Sequence, residues 1–148
     1  MTLVDANVLL YAVNTDADRH AASRRWLDGA LSGRDTVAFA WIALLAFVRL
    51  VTKPEVFPRP LTVHQAMDRV DAWRSAAPAV VVEPTVDHPA ILRRLLVDPG
   101  AGGNLVNDAH LAALAIEHRC VIVSWDRNFA RFGDVRWQPP QEPTNPTR

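Results

Sequence analysis

Five short apolar runs, Thr2–Val4, Thr36–Phe39, Ala79–Val82, Cys120–Ser124 and Val135–Trp137, alternate with segments of helical spacing. This alternation constrains the fold more than any other feature. Strands that alternate with helices predict a mainly parallel central sheet covered on both faces, a three-layer α/β/α arrangement. The intervening helices are expected at Asn7–Val13, Asp16–Leu31, Trp41–Val51, Thr62–Ser75, Thr85–Val97 and Asn107–His118, with a helical turn at Asn128–Phe132. Within Asp16–Leu31, Ala22, Trp26, Leu27 and Ala30 share one face. Thr62 and Gln65 have the spacing of a capping box, Thr85 is the expected cap of the next helix, and Pro89 fits a first turn. Trp41–Val51 is apolar on nearly every side, so it is expected to be deeply buried or partly covered by another subunit.

Length and composition narrow the class. A chain of 148 residues fits a single core, read here as one domain over 1–140 with a flexible tail over 141–148. Pro54, Pro58 and Pro60 mark a loop, Asp98 to Gly103 marks a second, and the prolines from Pro139 onward predict a tail outside the core. The formal net charge is zero, so bulk charge does not announce a nucleic-acid binder. The basic residues are almost all arginine, with Lys53 the only lysine. Cys120 is the only cysteine, which excludes an internal disulfide and suits a small core residue. The longest apolar stretch, Val37 to Val48, is too short to span a bilayer, and no secretory signal pattern opens the chain. A cytoplasmic protein with no membrane segment is expected.

Three segments hold the chemistry. The first carries Asp5 and Asn7 directly after the first apolar run. The second, Asn104-Leu105-Val106-Asn107-Asp108-Ala109-His110, sets Asp108 in the first turn of a helix. The third, Ser124-Trp125-Asp126-Arg127-Asn128-Phe129, sets Asp126 directly after a strand. Ligands of open parallel sheets bind in the crevice outside the carboxyl ends of the strands. Each aspartate also has a local reading: Asp5 as a helix cap, Asp108 as a partner of its own helix dipole, Asp126 as a turn residue. Three converging carboxylates repel one another unless a cation neutralises them. Hard oxygen donors select Mg²⁺, with Mn²⁺ as the alternative. Such an ion activates water and holds a phosphate oxygen, so metal-assisted phosphodiester hydrolysis is the expected chemistry. Asn7 and Ser124 either orient the carboxylates or satisfy local backbone groups. His110 is read as a hydrogen-bonded structural histidine in preference to a site residue.

Taken together, Val4-Asp5-Ala6-Asn7-Val8-Leu9-Leu10, Asn107-Asp108-Ala109-His110-Leu111-Ala112-Ala113-Leu114-Ala115 and Ser124-Trp125-Asp126-Arg127-Asn128-Phe129 resemble the PIN domain. More narrowly, the chain resembles the VapC-type toxin ribonuclease of bacterial toxin–antitoxin pairs. Trp41 to Phe57, with Phe47-Val48-Arg49-Leu50-Val51-Thr52, resembles one branch of that group. The resemblance covers roughly Thr2 to Pro140. It implies a parallel sheet between helices, divalent-metal-dependent cleavage of RNA, a cognate antitoxin partner and a homodimer. It further implies Asp5 and Asp108 as the principal Mg²⁺ ligands, with Asp126 binding directly or through water. Arg127 and Arg131 are the first candidates for contacts to the RNA backbone.

Two positions depart from the family pattern. Ala46 stands where a glutamate is usual, and Asn128 where an acid is common. Glu55 and Asp98, both in loops, are the candidate substitutes for the missing acid. The alternative function is therefore a PIN-like domain that binds RNA or antitoxin without cutting. Two other aspartate-first classes fit poorly. A haloacid-dehalogenase-type phosphatase needs an acid where Asn7 stands, and a response-regulator receiver needs a late lysine, whereas Lys53 lies mid-chain.

Overall fold

The computed structural model describes residues 1–97 and 102–141. Strands β1 (Thr2–Val4), β2 (Val37–Phe39), β3 (Ala79–Val81), β4 (Val121–Val123) and β5 (Trp137–Gln138) form one sheet in the order β3-β2-β1-β4-β5. Every pairing is parallel. Helices α1 (Ala6–Val13), α2 (His20–Leu31), α3 (Trp41–Val51), α4 (Val63–Ser75), α5 (His88–Leu96) and α6 (Val106–His118) cover its two faces. The expected three-layer α/β/α class is the class observed.

In the central strands β1, β2 and β4 the side chains are buried on both sides, and alternate residues serve different layers. Val4, Val37, Phe39 and Val123 join a core with residues of α1, α2, α3 and α4. Leu3, Ala38 and Ile122, each one residue out of phase, join a second core with α5 and α6. Registers Leu3↔Ala38 and Leu3↔Ile122 align the second set across three strands. An edge-to-face pair, Phe47 against Trp73 at 4.7 Å, ties α3 to α4 within the first core.

Chain order places the crevice. From β1 the chain steps outward through β2 to β3, then returns to the other side of β1 for β4 and β5. The reversal leaves a switch point between β1 and β4, where open sheets accept ligands. Asp5 immediately follows β1, and Ser124 immediately follows β4.

Several boundaries differ from expectation for local reasons. α2 begins at His20 rather than Asp16, because Asn14 accepts from the Asp16 amide and its carbonyl accepts from Ala17. That turn spends the amides that would open the helix. α5 begins at His88, and Asp87, not Thr85, occupies the cap position without a side-chain cap bond. Thr85 instead donates its hydroxyl to Glu117 at 2.6 Å. The capping box of α4 forms as Thr62 and Gln65 suggest. The helical turn after β4 spans Arg127–Arg131, and β5 lies at Trp137–Gln138, later than Val135. Pro140 is buried, so the chain stays against the body beyond Pro139. Asp98 and residues 142–148 lie outside the described residues.

Candidate active site

Asp5 caps α1, its Oδ1 accepting from the Ala6 amide at 2.8 Å. Its Oδ2 accepts from the Ser124 hydroxyl at 2.6 Å and from the Asn7 amide nitrogen at 3.1 Å. Ser124 is fully buried, and its one hydroxyl is saturated: it donates to Asp5 and accepts from Asn7 Nδ2 and the Asp126 amide. Asn7 closes the loop by accepting from the Trp125 amide at 3.1 Å. Trp125 is pinned in turn, its indole donating to buried Ser23 while the Arg19 guanidinium lies 4.7 Å from the ring centroid. Three donors on the Asp5 carboxylate leave about one of its four acceptor directions open.

Asp108 lies in the first turn of α6, and Asp126 caps the turn that follows β4, accepting from Asn128 at 2.8 Å. The local roles considered from sequence are thus all present. The carboxylates nevertheless share one field. Burial pushes the Asp108 carboxyl up to about 6, and the negative charges of Asp5 and Asp126 push in the same direction. Burial also raises Asp5; its bonds from Ser124 and Ala6 oppose that rise, and Asp126 adds to it.

A cleft of about 410 Å³ opens over these groups. Asp5 and Asn7 line it from the start of α1, and Asn107 and Asp108 from the start of α6. Ile42, Ala46 and Arg49 of α3 also line it. Asp126 does not line the cleft, although its charge reaches both acids that do. Among the described residues, no group of three His, Cys, Asp or Glu side chains is gathered closely enough to hold a metal ion by itself. The donor chemistry still fits Mg²⁺, which takes one or two carboxylates and completes its octahedron with water and substrate phosphate. Glu55 is exposed on its loop and is absent from the cleft lining, so it does not stand in for an acid at Ala46.

His110 takes part in a different assembly. Its Nδ1 lies 2.9 Å from His88 Nε2, and His88 Nδ1 lies 2.6 Å from Glu117 Oε2. Thr85 gives both its amide and its hydroxyl to Glu117 Oε1. An ionised carboxylate only accepts, so His88 donates from Nδ1. Burial and the neighbouring His88 lower the His110 pKa.

Arg127 and Arg131 are exposed on the turn after β4, and neither lines the cleft. The basic side chain that does line it is Arg49, which sequence reading passed over. The available signal was its isolation: Arg49 is the only charged residue of α3.

The PIN domain family model matches residues 2–135. Ribonuclease VapC37 of Mycobacterium tuberculosis is 62% identical over 141 residues, covering 95% of this chain and 98% of the relative. Ribonuclease VapC25 of the same organism is 37% identical, covering 92% of this chain and 96% of the relative. Among solved structures, VapBC2 from Rickettsia felis bound to a promoter DNA fragment superposes with a TM-score of 0.69 at 19% identity, covering 95% and 98% of the two chains. Mycobacterium tuberculosis VapC20, described as a sarcin–ricin loop cleaving toxin, superposes at 0.66 with 19% identity over 92% and 99%.

Proposed function

The chain belongs to the PIN-domain family, in its VapC-type branch, and from that premise we propose that it is the toxin of a toxin–antitoxin pair, a Mg²⁺-dependent endoribonuclease acting in the cytoplasm. One observation supports this reading above the others. Asp5 and Asp108 line one cleft at the β1–β4 switch point with their carboxyls raised by burial and by Asp126, Asp5 adding to the rise at Asp108, and no ion pair to either is present among the described residues. An arrangement of this kind costs stability and is retained where an external cation binds.

Asp5 and Asp108 would hold the ion, with Asp126 acting on it from the rim. Bound there, Mg²⁺ or Mn²⁺ supplies Lewis-acid activation of water and neutralises charge at the phosphate. Ser124 and Asn7 hold the Asp5 carboxylate in one orientation, so that its open acceptor direction is fixed before any ligand arrives. Asp108 must lose its proton to take part, so binding of the ion releases protons below about pH 6. The antitoxin and a second copy of the chain are the expected protein partners. Leu45 on α3, 61% exposed beside the cleft, is apolar surface for such a contact.

The test is cleavage of RNA with Mg²⁺ or Mn²⁺, comparing the parent chain with Asp5→Asn and Asp108→Asn. Both substitutions are expected to abolish cleavage; equal activity in all three proteins rejects the assignment. A second reading has its own observation. Ala46 lines the same cleft as the acids and brings no carboxylate to it. A PIN domain that binds RNA without cutting would give no cleavage in the parent chain and measurable cleavage after Ala46→Glu.

A further inference from the structure

The α3 wall of the cleft carries a single charge, and it is positive. Ile42, Ala46 and Arg49 follow at helical spacing and all border the cleft. Asp5 and Asp108 border the same cleft from α1 and α6. Among the described residues, no carboxylate pairs with Arg49. The guanidinium thus borders the same cleft as the acids and forms an ion pair with neither among the described residues.

That pairing of one free guanidinium with two acids in one cleft has a consequence for an anionic polymer. Two carboxylates in a cleft repel RNA, and the chain as a whole has no net charge to compensate. A guanidinium binds a phosphate with two parallel hydrogen bonds and keeps its charge at every working pH. Leu10 and Leu50, both partly exposed, add apolar lining to the cleft, against which unpaired bases can pack.

We propose that Arg49 is an RNA-binding residue of this cleft: it takes a backbone phosphate beside the scissile one and seats single-stranded RNA between α3 and the acids. The inference rests on the nuclease reading above and specifies how its substrate is held. Arg49 replaces Arg127 and Arg131 as the leading phosphate contact, because it alone of the three borders the cleft.

The experiment measures binding without turnover. Full-length chains carrying Asp5→Asn are titrated with labelled 12-nucleotide oligoadenylate and oligouridylate over a range of salt concentrations. Adding Arg49→Gln is expected to weaken both oligonucleotides alike, by about tenfold, as for a lost charged hydrogen bond. The slope of log affinity against log salt is expected to fall by about 0.7, one phosphate contact on a single strand. Arg49→Lys keeps the slope and recovers part of the affinity. Adding Arg127→Gln instead changes both readouts less. Arg49 is exposed at the end of α3, so the variants are expected to fold, which a thermal melt verifies. Binding by the Asp5→Asn chain that Arg49→Gln leaves unchanged in affinity and slope overturns this inference and spares the nuclease reading. No binding of either oligonucleotide by the Asp5→Asn chain, with or without Mg²⁺, overturns both.

Discussion

Two polar clusters lie near the two ends of α6, and they handle charge in opposite ways. At the amino end, Asp108 shares a field with Asp5 and Asp126, and its carboxyl is pushed up to about 6. Towards the other end, Glu117 is just as acidic a residue type, and its side chain is 1% exposed. Burial alone raises its pKa, but bonds from His88 and from Thr85 outweigh burial, and the net shift is downward. One cluster is solved internally, by donors supplied from α5 and the loop before it. The other is left unsolved by the protein. The difference separates a structural network from the cluster proposed here to take a cation.

The sharpest test of that difference exchanges charge for a neutral isostere at each cluster. Asp5→Asn is expected to reduce RNA cleavage at least about a hundredfold, the scale of losing one group that meets developing charge. Its melting temperature is not the readout of charge, because the amide nitrogen would face donors that the carboxylate accepts from. The charge contrast is read on Asp108→Asn, whose metal-free melting temperature should hold or rise; a fall there would mark Asp108 as a structural acid and erase the contrast. Glu117→Ala is expected to do the reverse. Removing a buried partner orphans the Thr85 donors and His88, at a cost of about 2–4 kcal/mol in chemical denaturation. Cleavage per folded molecule should survive.

Smaller effects come from pH. Glu117 is held below its usual 4.5, so its contribution to stability is present above that value and is lost on acidification. Asp108 has the opposite sign. Its raised carboxyl binds a proton in the folded chain that the unfolded chain has released, so the metal-free protein loses stability as pH rises from near 4 through about 6. Asp108→Asn should remove that loss and stabilise the metal-free chain at neutral pH by about 1 kcal/mol, after discounting for its partial exposure to solvent. Denaturation midpoints across pH 4–8 measure both slopes. Parallel slopes for the parent and Asp108→Asn would show that the acids do not share a field.

How much of this was legible in the sequence depended on the range of the interaction. β1, α1, α3 and the Thr62–Gln65 box were readable because neighbours in sequence decide them. Thr85 misled because its bonding partner lies 32 residues away on α6, and a cap position cannot compete with a buried carboxylate that needs donors. The start of α2 was missed because Asn14 closes a turn across residues that favour helix. In the site, the acids announced themselves through their positions at strand and helix ends. Arg49 did not, because the face of α3 that meets the cleft is fixed only by how Ala43, Leu44 and Phe47 pack into the core. Pro140 was read as tail from composition, yet it lies buried against the folded body.

The bond from Ser124 to Asp5 joins residues 119 positions apart. A ribosome therefore adds the orienting hydroxyl long after the acid it holds. Any product that stops between the two carries the aspartate without the bond that fixes its carboxylate, so the finished setting of Asp5 is itself a mark of synthesis past residue 124.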